Sequence, residues 1–368
     1  IHDNFFQLGG HSLLAMTLTE RIRRHGLRAD VRSLFITQTL AEFVAALNQP
    51  AAIEVPDNCI PAHCQHITPD MLPLAALTQA EIDRIVSRVP GGTENIQDIY
   101  PLTPFQEGIL FHHLISPDGD PYVLSSLLAF ATRNQLDRFL KALQTVINRH
   151  DILRTAVLWE ELSAPVQVVL RNVDLPVTEM SLNPAFGDAA AQMQAQFDPR
   201  RFRLDIRQAP LMQGHIAWDE QHAQWLLMML EHHLALDHVA METVLKEVRL
   251  LLLDQPEQLS QPLPFRSFVA HTRLGMKPEQ HETFFRSLLG QVDEPTAPFG
   301  LLNVQGDGSD SVEAFIDLDE ALHRRIRSCA QSVSVSPASV FHLAWAQVLA
   351  LLCGQETVVF GTVLLGRA

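Results

Sequence analysis

The most regular apolar pattern in the chain lies in residues 134–149, where Leu136, Phe139, Leu140, Leu143, Val146 and Ile147 recur at three- and four-residue spacing. One face of an α-helix collects such positions, so the segment predicts an amphipathic helix packed on a core. Residues 225–230 (WLLMML) are apolar without a break and of strand length, which predicts a central strand covered on both sides. That run leads into Glu231-His232-His233. A helix is expected just past Asp237-His238, carrying Val244, Leu245, Val248, Leu251 and Leu252. Further strands are expected at 122–130, 155–159, 166–170 and 357–364, and helices at 78–89, 278–289, 320–333 and 337–352. From residue 100 onward the pattern is therefore mixed α/β.

The first 48 residues read differently. Leu14, Leu18 and Ile22 share one face of a helix that Gly26 ends. A last helix starts at Thr39, which with Glu42 fits a capping box, and bears Leu40, Phe43, Val44 and Leu47. This is an all-helical module of marginal size, so a helix preceding it is expected. Residues 49–66 contain Pro50, Pro56 and Pro61 with weak periodicity and read as a linker. Cys59, His63, Cys64 and His66 crowd that stretch without the spacing of a compact zinc site, and read as a chance cluster.

Composition narrows the picture. The chain has 368 residues, enough for two or three domains, and is 47% hydrophobic and 19% charged, as packed proteins are. Net charge is 27 − 42 = −15, which speaks against nucleic acid or an anionic membrane as a partner. The apolar stretch at 343–353 is interrupted by Gln347 and is too short to span a bilayer. Four scattered cysteines do not make a disulfide framework, so a reduced, cytoplasmic protein is expected. The abrupt start at Ile1 and stop at Ala368 read as a piece of something longer.

Candidate chemistry begins at Gly9-Gly10-His11-Ser12, a turn that leaves a serine hydroxyl at the first turn of a helix. Free N–H groups and a positive dipole end there suit a phosphate ester, although a plain capping serine has the same local pattern. With Asp3-Asn4-Phe5-Phe6-Gln7-Leu8 upstream, the string DNFFQLGGHSLLAMTLTERI resembles the core of the peptidyl carrier domain of nonribosomal peptide synthetases. The resemblance implies 4′-phosphopantetheine borne covalently on Ser12 over a carrier of residues 1–48, with the family's first helix missing. A phosphopantetheinyl transferase would then be a partner.

His232-His233-Leu234-Ala235-Leu236-Asp237-His238 stands between the buried strand and a helix. A neutral histidine at a strand end can take a proton from an attacking amine or steer its charge. Two histidines and an acid in a packed loop fit the same letters. A zinc set of His232, His233, Asp237 and His238 is awkward, because adjacent histidines on a strand point to opposite sides, and no metal is expected. The segment resembles the condensation-domain motif HHxxxDG, with His238 in place of glycine. Residues 100–110 (YPLTPFQEGIL) are similar to that family's opening motif. Residues 149–155 (RHDILRT) are similar to its second, with Asp151 where Glu is usual. Residues 361–367 (GTVLLGR) are similar to a later one, with Leu365 where many members have Ser. The resemblance implies a two-lobed, chloramphenicol-acetyltransferase-like α/β fold with a first lobe at 67–270 and the start of an incomplete second lobe at 271–368. It also implies His233 as the active-site histidine beside His232 and a structural Asp237.

His112-His113-Leu114 leads to Gly119-Asp120 and is similar to the HHLxxxxGD signature of dual epimerisation/condensation domains. Without that context it reads as a helix end and a Pro-Asp-Gly turn with solvated histidines. The resemblance implies inversion of an α-carbon followed by peptide bond formation on carrier-bound aminoacyl or peptidyl thioesters. Partners would be the upstream adenylation domain and the downstream adenylation and carrier domains. His233 is the candidate base, and His112 and His113 are candidates for positioning the arm or supplying a proton. The rivals are a condensation domain without epimerisation, a carrier with an inactive docking domain, and a lipid acyltransferase, which the carrier module weighs against.

Overall fold

A computed structural model of the chain describes residues 54–116, 119–275, 277–302, 312, 314–333 and 335–362, with 5, 14, 15, 18, 19, 21, 22, 27, 33, 34, 37 and 39–47. It divides into two compact units, one of residues 1–52 with 277–368 and one of residues 53–276.

At the start of the chain, residues 14–15, 18–19 and 21–22 are helical. Ala15, Leu34, Phe43 and Leu47 are buried, with Phe5, Leu18, Ile22 and Leu40 against them. The inward stripe is thus Ala15, Leu18, Thr19 and Ile22, the i, i+3, i+4, i+7 set of one helix face. Leu14 was expected on that face but is 46% exposed, because it lies about 100° round the helix from Ala15. Helix α1 (Leu40–Ala46) is capped by the Thr39 side chain, which accepts the Glu42 N–H. Ser12 lies outside the described residues.

In the unit of residues 53–276, α2 (Gln79–Arg88) starts at a complete Thr78–Glu81 capping box. Strand β1 (Ile96–Pro101) and helix α3 (Pro104–Ile115) follow. Next come β2 (Val123–Phe130), α4 (Arg133–Arg149), β3 (Thr155–Leu158), β4 (Val166–Leu170) and β5 (Val177–Glu179). Helix α5 (Ala189–Gln196), strands β6 (Met212–Asp219) and β7 (Gln224–His232), and helices α6 (His238–Leu252) and α7 (Phe265–Leu274) come after them, with short helical turns between.

The strands form two sheets, β1-β4-β3 and β2-β7-β6-β5. β7 is antiparallel to both neighbours, and its pairing with β2 runs unbroken from Val123↔His232 to Phe130↔Trp225. Its unbroken apolar run follows from cover on both faces. Leu226, Met228 and Leu230 pack with Met193, Phe197 and Leu204, while Leu227 and Met229 pack with Leu136, Leu143, Val244 and Val248 of α4 and α6. This central strand carries the histidines to the end of the sheet.

Part of the expected linker packs as core. Ile60 and Cys64 are buried with Ile96, Ile99 and Val168, and the Arg171 guanidinium donates to the Pro61 carbonyl at 2.9 Å. Its prolines break local periodicity, yet its apolar side chains still reach a hydrophobic cluster. Cys59 is exposed and Cys64 buried, each bonded to a nearby carbonyl.

Helices α8 (Pro278–Leu289), α9 (Glu320–Ser332) and α10 (Pro337–Cys353) belong to the other unit. The strand expected at 357–364 is corrected: residues 357–362 form none, and 363–364 lie outside the described residues. An apolar run becomes a strand only where another strand can share its backbone hydrogen bonds, and here the Val359 N–H goes to the Thr296 hydroxyl.

Candidate functional site

His232 ends β7 and His233 begins the turn into α6. The His233 N–H donates to the Tyr122 carbonyl at 2.9 Å. Its ring Nδ1 lies 2.9 Å from the Leu236 carbonyl, an acceptor, so Nδ1 carries the hydrogen and Nε2 the lone pair in the neutral ring. That tautomer is the one a base needs at Nε2. The Tyr122 ring stands edge-on to the His233 ring with centroids 6.3 Å apart.

His232 points the other way, as the strand alternation requires. It is fully buried, and its Nε2 lies 2.9 Å from Asp120 Oδ2. Its Nδ1 accepts the Leu234 N–H at 3.1 Å, which leaves the hydrogen on Nε2 to donate to Asp120. His113 Nδ1 meets the same carboxylate oxygen at 2.5 Å. The other oxygen, Oδ1, accepts the Tyr122 N–H at 2.9 Å. Burial opposes ionisation of Asp120, but the hydrogen bonds from His113 and His232 together outweigh it and hold the carboxyl well below its usual range. Burial likewise depresses the basicity of His232, against the pull of Asp120, and keeps the imidazole neutral.

The two double-histidine strings therefore interlock. His113 and His232 share Asp120, while the exposed His112 lies 5.9 Å from the Tyr122 ring that flanks His233. The reading of His112 and His113 as a solvated pair is corrected for His113, which is buried because its ring is the partner of a buried carboxylate. His113 thus spends Nδ1 on the buried carboxylate, whereas His112 is exposed. Asp120 was absent from the expected site residues. Its one local signal was its place as the acid closing the HHLxxxxGD string.

His113, Asp120 and His232 are the one group among the described residues with metal-ligand spacing. Their chemistry does not suit an ion. The ligand nitrogens sit 2.5 and 2.9 Å from one oxygen, too close to admit a cation between them, and a metal on His232 Nε2 would push the hydrogen to Nδ1, against the Leu234 N–H. The alternative zinc set does not converge either. Asp237 accepts the Ala240 N–H as the cap of α6, and His238 pairs with Glu242.

The other motifs brace this turn. Gln106, in the 100–110 motif, completes the Thr103 capping box of α3. It also exchanges amide hydrogen bonds with Gln167 and donates to the Leu234 carbonyl at 2.9 Å. In the 149–155 motif, Arg149 and His150 hold Glu247 of α6, and Asp151 accepts the Phe265 N–H of α7. Of residues 361–367, 363–367 lie outside the described residues.

With this geometry in place, residues 96–368 match the condensation domain family. This chain is a condensation-domain protein. Residues 1–47 match the phosphopantetheine attachment site family, which implies a covalently attached 4′-phosphopantetheine. A serine hydroxyl supplies the oxygen for such an ester, and Ser12 is the motif's serine. Malpibaldin synthetase of Mortierella alpina is 47% identical over 367 residues, covering 100% of this chain and 7% of that protein. A linear gramicidin synthase of Brevibacillus parabrevis is 28% identical over 343 residues, covering 91% and 6%. The chain thus spans well under a tenth of the curated relatives it matches. The condensation domain of the monacolin K polyketide synthase has the same fold, with TM-score 0.52 and 18% identity over 71% of this chain and 61% of that one. The chain is thus homologous to a segment of the peptide synthetases it matches.

Proposed function

We propose that this chain inverts the α-carbon of a carrier-bound aminoacyl or peptidyl thioester and then joins it to the next amine. The observation that carries the reading is the meeting of the two double-histidine strings at one turn, with Asp120 between His113 and His232.

The phosphopantetheine on Ser12, when attached, supplies the thiol that carries the acyl group. The residues of the chain then act on the thioester. For epimerisation, Nε2 of His233 takes the α-hydrogen as a proton, and His112 or water returns one on the opposite face. For condensation, the amine nitrogen forms a bond to the thioester carbonyl and the C–S bond breaks. The proton shed by the nitrogen passes by way of Nε2 to the departing thiolate, which leaves as thiol. Asp237 acts as a structural cap of α6. Adenylation and carrier domains on either side of this segment, a phosphopantetheinyl transferase and a cytoplasmic setting belong to the same proposal.

Incubation of a loaded L-aminoacyl thioester in deuterium oxide tests it. Wash-in of deuterium at the α-carbon and a D-configured product support the dual reading. Bond formation with retained L-configuration and no exchange reduces the protein to condensation alone. Treatment with a phosphopantetheinyl transferase and coenzyme A adds one arm to the wild type and none to Ser12→Ala; an arm retained in that variant removes Ser12 from the scheme.

A further inference from the structure

We propose that Asp120 is a positioning residue for His233, setting through His232 and Tyr122 the place of the imidazole that transfers protons. The inference rests on the reading of His233 given above.

Asp120 is fully buried and takes three N–H groups on its two carboxylate oxygens, from His113, His232 and Tyr122. Its own backbone is held as well. The Asp120 N–H donates to the Pro199 carbonyl at 2.8 Å, and Gly119 lies so near Arg200 that a Cβ would sit 2.3 Å from the Arg200 oxygen. Arg203 donates to the His113 carbonyl at 2.6 Å, fixing the end of α3 from which that ring projects. The carboxylate is therefore a fixed point.

Both peptide N–H groups around His233 trace back to that point. The His233 N–H goes to the carbonyl of Tyr122, whose own N–H goes to Asp120. The Leu234 N–H goes to Nδ1 of His232, whose Nε2–H goes to Asp120. With the backbone tied on each side, the bond from Nδ1 to Leu236 leaves the His233 ring little freedom. A role limited to holding the fold would explain the burial of Asp120. It would not by itself explain why both ties run to the residue beside the base.

A carboxylate is required for this arrangement. All three partners donate, and an ionised Asp offers only acceptors. In Asp120→Asn one oxygen becomes an NH2 group, so at least one of the three N–H groups meets another donor. The variant is nearly isosteric, which makes it a sharp probe.

Acceptor kcat and KM should be measured on the intact phosphopantetheinylated protein with a loaded donor thioester, for wild type, Asp120→Asn, His113→Gln and His233→Ala. Asp120→Asn is expected to lower kcat by about tenfold to a hundredfold, the scale of a small misplacement of a reacting group, with acceptor KM within about threefold. His113→Gln is expected to act in the same direction but less. The double variant should be no slower than Asp120→Asn, since His113 acts through Asp120. A merely structural aspartate would lower the melting temperature and leave kcat unchanged well below it. A folded Asp120→Asn variant with wild-type kcat, or a loss confined to KM, overturns the proposal. If Asp120→Asn does not fold, His113→Gln decides, and wild-type kcat there overturns it. Wild-type turnover in His233→Ala would sink the reading of His233 itself. An inactive His233→Ala beside a fully active Asp120→Asn would sink only the inference about Asp120.

Discussion

The side-chain N–H of Gln106 donates to the carbonyl oxygen of Leu234 at 2.9 Å, so the residue after His233 is held from behind by the first turn of α3. The same amide pairs reciprocally with Gln167, whose Nε2 also reaches the Pro101 carbonyl. Gln106, Gln167 and Leu234 are all buried. Gln106→Leu leaves the Leu234 carbonyl and one face of Gln167 without partners. A buried polar group left unmade costs about 2 kcal/mol, roughly a 4–8 °C fall in Tm for a unit of this size. Thermal melts and acceptor turnover measured together check this, with both expected to fall. An unchanged Tm would mean that the amide network does not hold the turn.

Two glycines separate packing from backbone freedom. A Cβ on Gly119 would lie 2.3 Å from the Arg200 oxygen and 2.8 Å from the Pro199 oxygen, both backbone atoms that cannot swing aside. Gly119→Ala therefore has to displace the turn that carries Asp120, at about 1–3 kcal/mol. In Gly108→Ala, on the exposed side of α3, the new methyl meets nothing within 4 Å and removes a flexible residue from a helix interior. That change is expected to stabilise by about 0.5–1 kcal/mol. Opposite signs in denaturant unfolding are the expected result, and a tolerated Gly119→Ala would deny the close approach.

Glu231 adjoins His232 on β7 and is 3% exposed, and its Oε2 has no hydrogen-bond partner among the described residues. Burial alone raises its pKa from 4.5 to about 7. A carboxyl whose folded pKa lies above its unfolded one favours the folded state fully below pH 4.5. That contribution is lost as pH rises through 7. Glu231→Gln removes the titration. Its stability relative to wild type is expected to be level near pH 4 and to gain about 3 kcal/mol by pH 8. Melting curves across that range check the slope. A pH-independent difference would show that the carboxyl finds a partner in solution.

Elements built on one long, regular pattern are legible in the sequence. The stripe of α4 and the apolar run of β7 place both within a residue or two of their observed bounds. β6 is harder to read because polar Gln213 and His215 lie half-buried within it, so its apolar run is never continuous. The strand expected near the end of the chain fails for the opposite reason: apolar residues alone do not supply a neighbour for pairing. At the site, His233 and Ser12 are marked by their local strings. Asp120 closes the HHLxxxxGD string, but its role does not show there, because it depends on His232, which lies 112 positions further along the chain. Glu231 is likewise hidden, since only the folded sheet shows its carboxyl to be cut off from water.

The ladder between β2 and β7 reaches from Phe130↔Trp225 to Val123↔His232 without a bulge, and Asp120 stands three residues beyond its last rung. The strands thus act as a ruler. Adding or removing a single residue anywhere in β2 would exchange the two faces of everything before it and carry the carboxylate away from His232. Length variation should accordingly be rejected in β2 and tolerated at the exposed residues 183–187, between β5 and α5, which lie outside both strands of this ladder. When segments are exchanged between relatives, junctions that keep the 120–130 and 225–233 stretches together preserve this alignment, whereas junctions that part them leave it to chance.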